Sequence, residues 1–279
     1  MTTEKTLKKN IKPAPAQDGR VIALENELRV LRAIHRFGWL RARDLAVVVW
    51  RRPAGPSTTA PGLQPPTPTA AELRMAQKTL ARLRKKRQVL HAQAPDYSRL
   101  YALAEAGVRA LRARGADATT GKDALRAFSL DHYHHRRIAN EVAISALIEG
   151  YKISTERETA QGRWLGGREG IARKIPDALL RAGSAIYWVE VEYSRKNQPD
   201  YQRLLAWLTI VRRDALAPGG STLLSAGTRW QQIIFVCTSA FQKKLTGDLL
   251  AIGWTHAHID RLLRFSTALY RIGSVQFQR

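Results

Sequence analysis

Cysteine occurs once, at Cys237, so the chain can form neither an intramolecular disulfide nor a cysteine metal cluster. That usage fits a reducing, cytoplasmic setting. No apolar run approaches the length of a membrane span, which argues against a membrane partner. The start of the chain holds Lys5, Lys8, Lys9 and Lys12 with Pro13 and Pro15, and no apolar stretch follows to make a secretory signal. A glycine-rich phosphate loop, a nucleophile elbow and zinc-ligand spacings are all missing. Negative charge is scarce: 23 Asp+Glu stand against 46 Lys+Arg in 279 residues, a net charge of +23 with a pI near 10.9. Such an excess points to a polyanionic partner, with nucleic acid ahead of an anionic membrane surface. Residues 1–120 carry 23 cations and 9 acids, whereas the remaining 159 carry 23 and 14, so the front half has the stronger field.

Several segments are legible from periodicity. Residues 1–20 read as a basic, proline-containing tail. Leu24, Leu28, Leu31 and Ile34 mark a helix over 21–37 with Gly38 as its stop. A second helix is expected over Arg41–Trp50, with Asp44 in its first turn. Six prolines within residues 51–70 make an irregular insertion. From Ala70 to Arg87, Leu73, Ala76, Leu80 and Leu83 occupy one face, and Arg74, Lys78, Arg82 and Lys85 the other. Two short strands, Val89–His91 and Arg99–Leu103, flank an Ala94-Pro95-Asp96 turn, and a further helix runs to Gly115. That order is the order of a winged helix-turn-helix over residues 21–115, with the basic helix on duplex DNA. Arg74, Lys78, Arg82, Lys85, Lys86 and Arg87 are the expected DNA contacts. The alternative for such a face is simple solvation.

Residues 116–130 read as a linker, and residues 131–279 as a second domain. A helix from Asp131 to Gly150 places Glu141 inside the apolar stripe of Ile138, Val142 and Ile148, where an acid needs a partner. Strands are expected at Tyr151–Arg157, Lys174–Arg181 and Ala185–Tyr193, then a helix over Pro199–Arg213 and a buried strand at Gln232–Thr238. If Gly183-Ser184 is a two-residue hairpin turn, Asp177 lies across from Glu190. Directly opposed like charges destabilise a strand pair unless something neutralises them. Ile186, Trp188, Glu190 and Glu192 share one strand face, with Tyr187, Val189, Val191 and Tyr193 on the other. The chain thus offers four carboxylates, Glu141, Asp177, Glu190 and Glu192, for one or two cations such as Mg²⁺ or Mn²⁺. Such a group suits phosphodiester cleavage, helped by Lys174, Arg195 or Lys196. The competing reading is a set of acids salt-bridged to Arg173, Lys174, Arg195 and Lys196.

Other features carry less. His132 and His135 have a spacing that allows shared metal ligation, but cap, packing or phosphate-facing roles explain them as well. Tyr133 beside three histidines superficially suggests a tyrosine relaxase, yet it lies on a single helix. His256 and His258 have no evident partner, Cys237 reads as a core thiol, and Gly162–Gly170 as a loop or flap.

Taken together, His135-Arg-Arg-Ile-Ala-Asn140-Glu141, Pro176-Asp177-Ala178 and Glu190-Val191-Glu192 resemble the core of PD-(D/E)xK nucleases. With the front domain, residues 20–240 resemble the replication-relaxation family and are similar to MobC-type plasmid mobilisation proteins. The resemblance implies an α+β fold: an N-terminal winged helix and a nuclease-like α/β domain with a mixed central sheet. It implies Asp177, Glu190 and Glu141 as metal ligands, and Asp177, Glu190, Glu192 and Lys196 as the catalytic set. Glu192 occupies the position where the nuclease pattern has lysine. The expected function is a double-stranded DNA-binding protein of a plasmid or mobile element, acting as a metal-dependent nickase or endonuclease in mobilisation or replication. The alternative is a non-catalytic regulator or relaxosome accessory. Expected partners are duplex DNA, other transfer or replication proteins, and a second copy of the chain.

Overall fold

The computed structural model describes residues 18–57, 59–126, 130–192 and 197–268. The basic tail up to residue 17, Arg195 and Lys196 lie outside the described residues. The chain forms an α+β fold. Its first part runs α1 (Gly19–Phe37), β1 (Trp39–Arg41), α2 (Ala42–Trp50), α3 (Ala70–Lys85), β2 (Val89–Gln93), β3 (Arg99–Leu103) and α4 (Glu105–Arg112). Then follow α5 (Lys122–Arg126), α6 (Leu130–Ile148), β4 (Lys152–Ser154), α7 (Glu156–Ala160), β5 (Ala178–Ala182) and β6 (Ala185–Glu192). The chain continues through α8 (Gln198–Ala215), β7 (Arg229–Cys237), α9 (Ser239–Ala251), α10 (His256–Leu262) and β8 (Leu263–Ser266).

The expected helices over residues 21–37, 41–50 and 70–87 are present as α1, α2 and α3. Gly38 ends α1 with φ of 81°, and its N–H donates to Ile34 O, as a glycine stop requires. Thr69 and Glu72 cap α3 reciprocally. Strand β1, only three residues long, gives too little alternation to be read from sequence. It pairs antiparallel with β3, which pairs antiparallel with β2, in the order β1-β3-β2.

The second sheet is mixed, in the order β4-β5-β6-β7-β8. Strand β5 is antiparallel to both β4 and β6, whereas β6, β7 and β8 run parallel. Around Gly183-Ser184, Ala182 faces Ala185 and Ala178 faces Val189, which is the expected hairpin register. The strand expected from Lys174 begins only at Ala178. Pro176 has no N–H to give a ladder, so regular pairing starts after it. Central strand β6 is buried along its whole length. Tyr187, Val189 and Val191 join a core with Ile138, Val142 and Ala143 of α6. Ile186 and Trp188 join the opposite core with Leu204, Trp207 and Leu208 of α8.

The core on the α6 side does not stop at the second sheet. It is continuous with Leu31, Ile34, Leu45, Leu80 and Leu103 of the first part. Within the expected linker, Ala118 is fully buried and Gly121 N donates to Leu103 O at 2.9 Å.

The proline-rich segment between α2 and α3 is a strap anchored at several points. Ala54 N donates to Ile148 O (2.7 Å), Gly62 N to Glu149 Oε2 (2.8 Å), and Arg264 Nη1 to Pro61 O (2.6 Å). Leu63 is buried in the shared core. Gly150, at φ of 90°, lies so close to Gly55 that a Cβ there would stand 2.0 Å from Gly55 O. No helix among the described residues is long and apolar enough to cross a membrane.

Arg41 ties these parts together. It ends β1, caps α2 through Asp44, and donates from Nη2 to Glu141 Oε1 of α6 at 2.6 Å. All three side chains are buried. Removing one member of a buried ion group strands the remaining charge. Arg41→Ala is therefore expected to lower the unfolding free energy by about 3–5 kcal/mol. Replacing Arg41, Asp44 and Glu141 together by apolar residues of similar volume should cost less. Urea denaturation of the two variants checks both outcomes.

Candidate functional site

The basic helix α3 presents Arg74, Lys78, Lys85 and, just past its end, Arg87 as exposed cations. Two of the expected contacts are otherwise engaged. Arg82 Nε and Lys86 Nζ reach Glu27 of α1, at 3.0 and 2.6 Å. Glu27 is buried, and these cations satisfy its carboxylate. Arg84, not among the expected contacts, is exposed in the same region. Arg84, Lys85, Arg87 and His91 line an open concavity between α3 and β2 of ≈ 690 Å³. Burial, followed by Arg84 and Arg99, holds the His91 imidazole below its ordinary value. Tyr97 projects at the β2–β3 turn and is 77% exposed. The turn itself is held back, because Tyr133 Oη of α6 donates to Asp96 Oδ2.

The acids expected to meet at the second sheet divide between its two faces. Glu141 belongs to α6, on the Val189 side, where Arg41 takes Oε1. Glu190 belongs to the Trp188 side: Lys174 Nζ lies 2.7 Å from its Oε2, and Trp188 Nε1 donates to its Oε1. A sheet therefore separates these two carboxylates, which explains why Glu141 does not join Glu190. Glu192 is buried on the same strand as Glu190.

Asp177 stands one residue before β5. Its N–H donates to Val189 O (3.0 Å), and its Oδ2 accepts the Val191 N–H (2.7 Å). The β5 edge has ended there, so the carboxylate supplies the acceptor that a further strand residue would otherwise give Val191. His135 Nε2 of α6 lies 3.3 Å from the same oxygen. Burial disfavours charge on both partners. It is outweighed at Asp177, where His135, the Val191 amide and Lys174 hold the carboxyl below its usual value. Burial likewise opposes the His135 imidazolium, but the hydrogen bond and charge of Asp177 lift it to about 9. Burial raises the Glu190 carboxyl, assisted by Asp177 and opposed by Lys174. Lys174 itself stays a cation, because Glu190 more than offsets the effect of burial.

Of Lys174, Arg195 and Lys196, Lys174 is the one that lies within the described residues, and a tight loop holds it at Glu190. Ile171 and Lys174 form an isolated bridge, and a Cβ at Gly170 (φ of 78°) would stand 2.3 Å from Lys174 O. The glycine-rich loop before it is packed: Trp164 meets Trp188 edge-on at 5.7 Å, and its Nε1 donates to Gly167 O. Glu156 of α7 is a further member that the sequence did not signal. Burial and the charge of Asp177 raise its carboxyl against the pull of Arg136, which lies 3.8 Å away.

Among the described residues, no group of three or more His, Cys, Asp or Glu side chains is arranged to hold a metal ion. Both oxygens of Glu190 and one of Asp177 have nitrogen partners. What the arrangement holds is a part-buried network of alternating charge, Lys174–Glu190 and Asp177–His135. No family model, no curated protein and no solved structure matches this chain.

The raised His135 value fixes the sign of a pH effect. A group whose folded value lies above its unfolded value stabilises fully below the latter, here 6.5. That stability is lost as pH rises through about 9. Between these pH values the native state is expected to lose stability on the order of 3 kcal/mol through this group. His135→Gln should flatten that part of the curve, as chemical denaturation across the pH range would show.

Proposed function

We propose that the protein is a double-stranded DNA-binding protein whose first part is a winged helix, with α3 as the helix that lies on the duplex. The observation carrying this reading is the exposed set Arg74, Lys78, Arg84, Lys85 and Arg87, none of which makes an ion pair among the described residues. Solvated cations on a helix are commonly balanced by acids three or four residues away. Here Glu72 is committed to Arg51 and Glu27 to Arg82 and Lys86, which leaves the outer face uncompensated. The element order α1-β1-α2-α3-β2-β3 and the antiparallel β1-β3-β2 sheet agree with that reading. A role in replication or mobilisation of a plasmid or mobile element follows from the sequence resemblance alone. On this reading the network around Glu190 is structural, and the protein acts as a regulator or accessory factor.

A second reading has one observation in its favour. Lys174 brings an ammonium group to Glu190, with Asp177 beside it, which is a lysine and two acids at the end of a hairpin. That is the residue content of a PD-(D/E)xK site, with Lys174 supplying the amine absent at Glu192. For a nickase, a divalent cation would have to displace Lys174 from Glu190.

Each phosphate contact contributes about 0.9 to the slope of log affinity against log salt. The Arg74→Ala, Lys78→Ala double variant should therefore lower the slope by about 1.8 in fluorescence anisotropy with duplex DNA. Arg82→Ala should act mainly on stability, because its partner is Glu27. An unchanged slope in the double variant would remove α3 from the interface. For the second reading, supercoiled plasmid incubated with Mg²⁺ or Mn²⁺ should be nicked by the native protein and not by Asp177→Ala or Glu190→Ala. Intact plasmid throughout leaves the non-catalytic reading standing alone.

A further inference from the structure

A second concentration of positive charge lies away from α3. Arg163 and Arg168 line an open cleft of ≈ 510 Å³ with Thr119, Ala160, Gln161 and Asp117. Arg157 of α7 stands beside it, donating from Nη2 to Thr119 Oγ1 (2.8 Å) and Thr120 O (3.0 Å). Among the described residues, none of these three arginines forms an ion pair. The neighbouring acids are engaged elsewhere, since Glu158 binds Arg36 and Glu156 faces Arg136. Asp117 is the one carboxylate among the residues lining the cleft.

This grouping differs from arginines scattered over a basic surface. Arg163 Nη1 lies 3.1 Å from His35 Nε2. Burial, then Arg163 and Arg157, push the His35 imidazole down to about 4, so it is neutral near pH 7 and its Nε2 can accept from the guanidinium. A buried, uncharged base thus orients one arginine. Arg157 is half-buried, and burial followed by Arg136 and Arg163 makes its positive charge harder to hold than usual. Cations that outnumber the acids near them repel one another, and a bound anion relieves that repulsion. Guanidinium groups also match the oxygens of a phosphate through paired hydrogen bonds.

We propose that this cleft is a phosphate-binding site in which Arg163 and Arg168 hold a backbone phosphodiester of bound DNA, with Arg157 behind them. The proposal rests on the DNA-binding reading and adds a second contact, separate from α3. Helix α7 also carries Glu156, whose charge acts on His135 and Asp177, so the cleft and the acid network share one short helix.

Arg163 and Arg168 are exposed, which makes Arg163→Gln, Arg168→Gln a variant expected to fold, as circular dichroism would verify. With a duplex oligonucleotide, the salt slope should fall by about 1.8 relative to the native chain. The loss should add to that of Arg74→Ala, Lys78→Ala, while Arg163→Lys, Arg168→Lys should keep most of the slope. Native-like DNA affinity and slope in the folded Gln variant overturn the proposal and leave the α3 reading intact. Calorimetric titration with inorganic phosphate separates the sources of the ligand. If the native chain binds no duplex but binds phosphate, and the Gln variant does not, the DNA reading fails and the site stands as one for free phosphate. If the native chain binds neither, both fail.

Discussion

The Arg41 guanidinium reaches into a space from which water is excluded, where it meets Asp44 on one side and Glu141 on the other. Charges removed from water in this way hold their places only when each is paired and hydrogen-bonded. Here the pairing fixes three things at once: the end of β1, the start of α2 and the position of α6. Residues within the same helix repeat the device. His135 meets Asp177, Arg136 faces Glu156, and Asn140 Nδ2 donates to Trp39 O at 3.2 Å. The polar side of α6 is therefore committed to joining the first part of the chain to the mixed sheet.

That role changes the meaning of the acidic residues. In a site that takes up and releases cations, carboxylates keep oxygens open to the ligand. Glu190 and Asp177 instead face nitrogen donors that neutralise them. Lys174 and His135 do for Glu190 and Asp177 what a divalent ion would do, at lower charge and through directional hydrogen bonds. Two acids at the end of one hairpin are thereby tolerated within a buried sheet. The same principle operates at Glu27, whose burial draws Arg82 and Lys86 away from the outer face of α3.

Charge left over after this internal pairing is what faces outward. Arg74, Lys78, Arg84, Lys85 and Arg87 gather on one surface, and Arg163 and Arg168 on another. The proline-rich strap lies between α2 and α3, and its hydrogen bonds reach the end of α6 and Arg264 of β8. Through it the loop leading into α3 is tied to the end of α6 and to β8 of the large sheet.

Local pattern was enough for α1, α2, α3, α4, α6 and α8 and for the Gly183-Ser184 hairpin with its register, because periodicity and turn chemistry act over a few residues. Helix α5, by contrast, lies in the expected linker, and α7 begins inside the strand expected over Tyr151–Arg157. The same alternation correctly placed Glu190 on the Trp188 face of β6. Helical phase likewise showed that Glu141 would be buried and in need of a partner. Which partner it found depended on the face of the sheet that α6 covers, and that is set by long-range packing with α1 and α2. Arg82 shows the same limit: its helical phase matches Lys78, yet a buried glutamate 55 positions earlier claims it. Lys174 became the amine beside Glu190 through a tight loop whose shape no periodicity records. The sequence by itself determined most of the longer helices, the hairpin and the positive excess. Only the tertiary structure decided which charges cancel and which remain for a partner, because ion pairing between distant segments follows from how they pack.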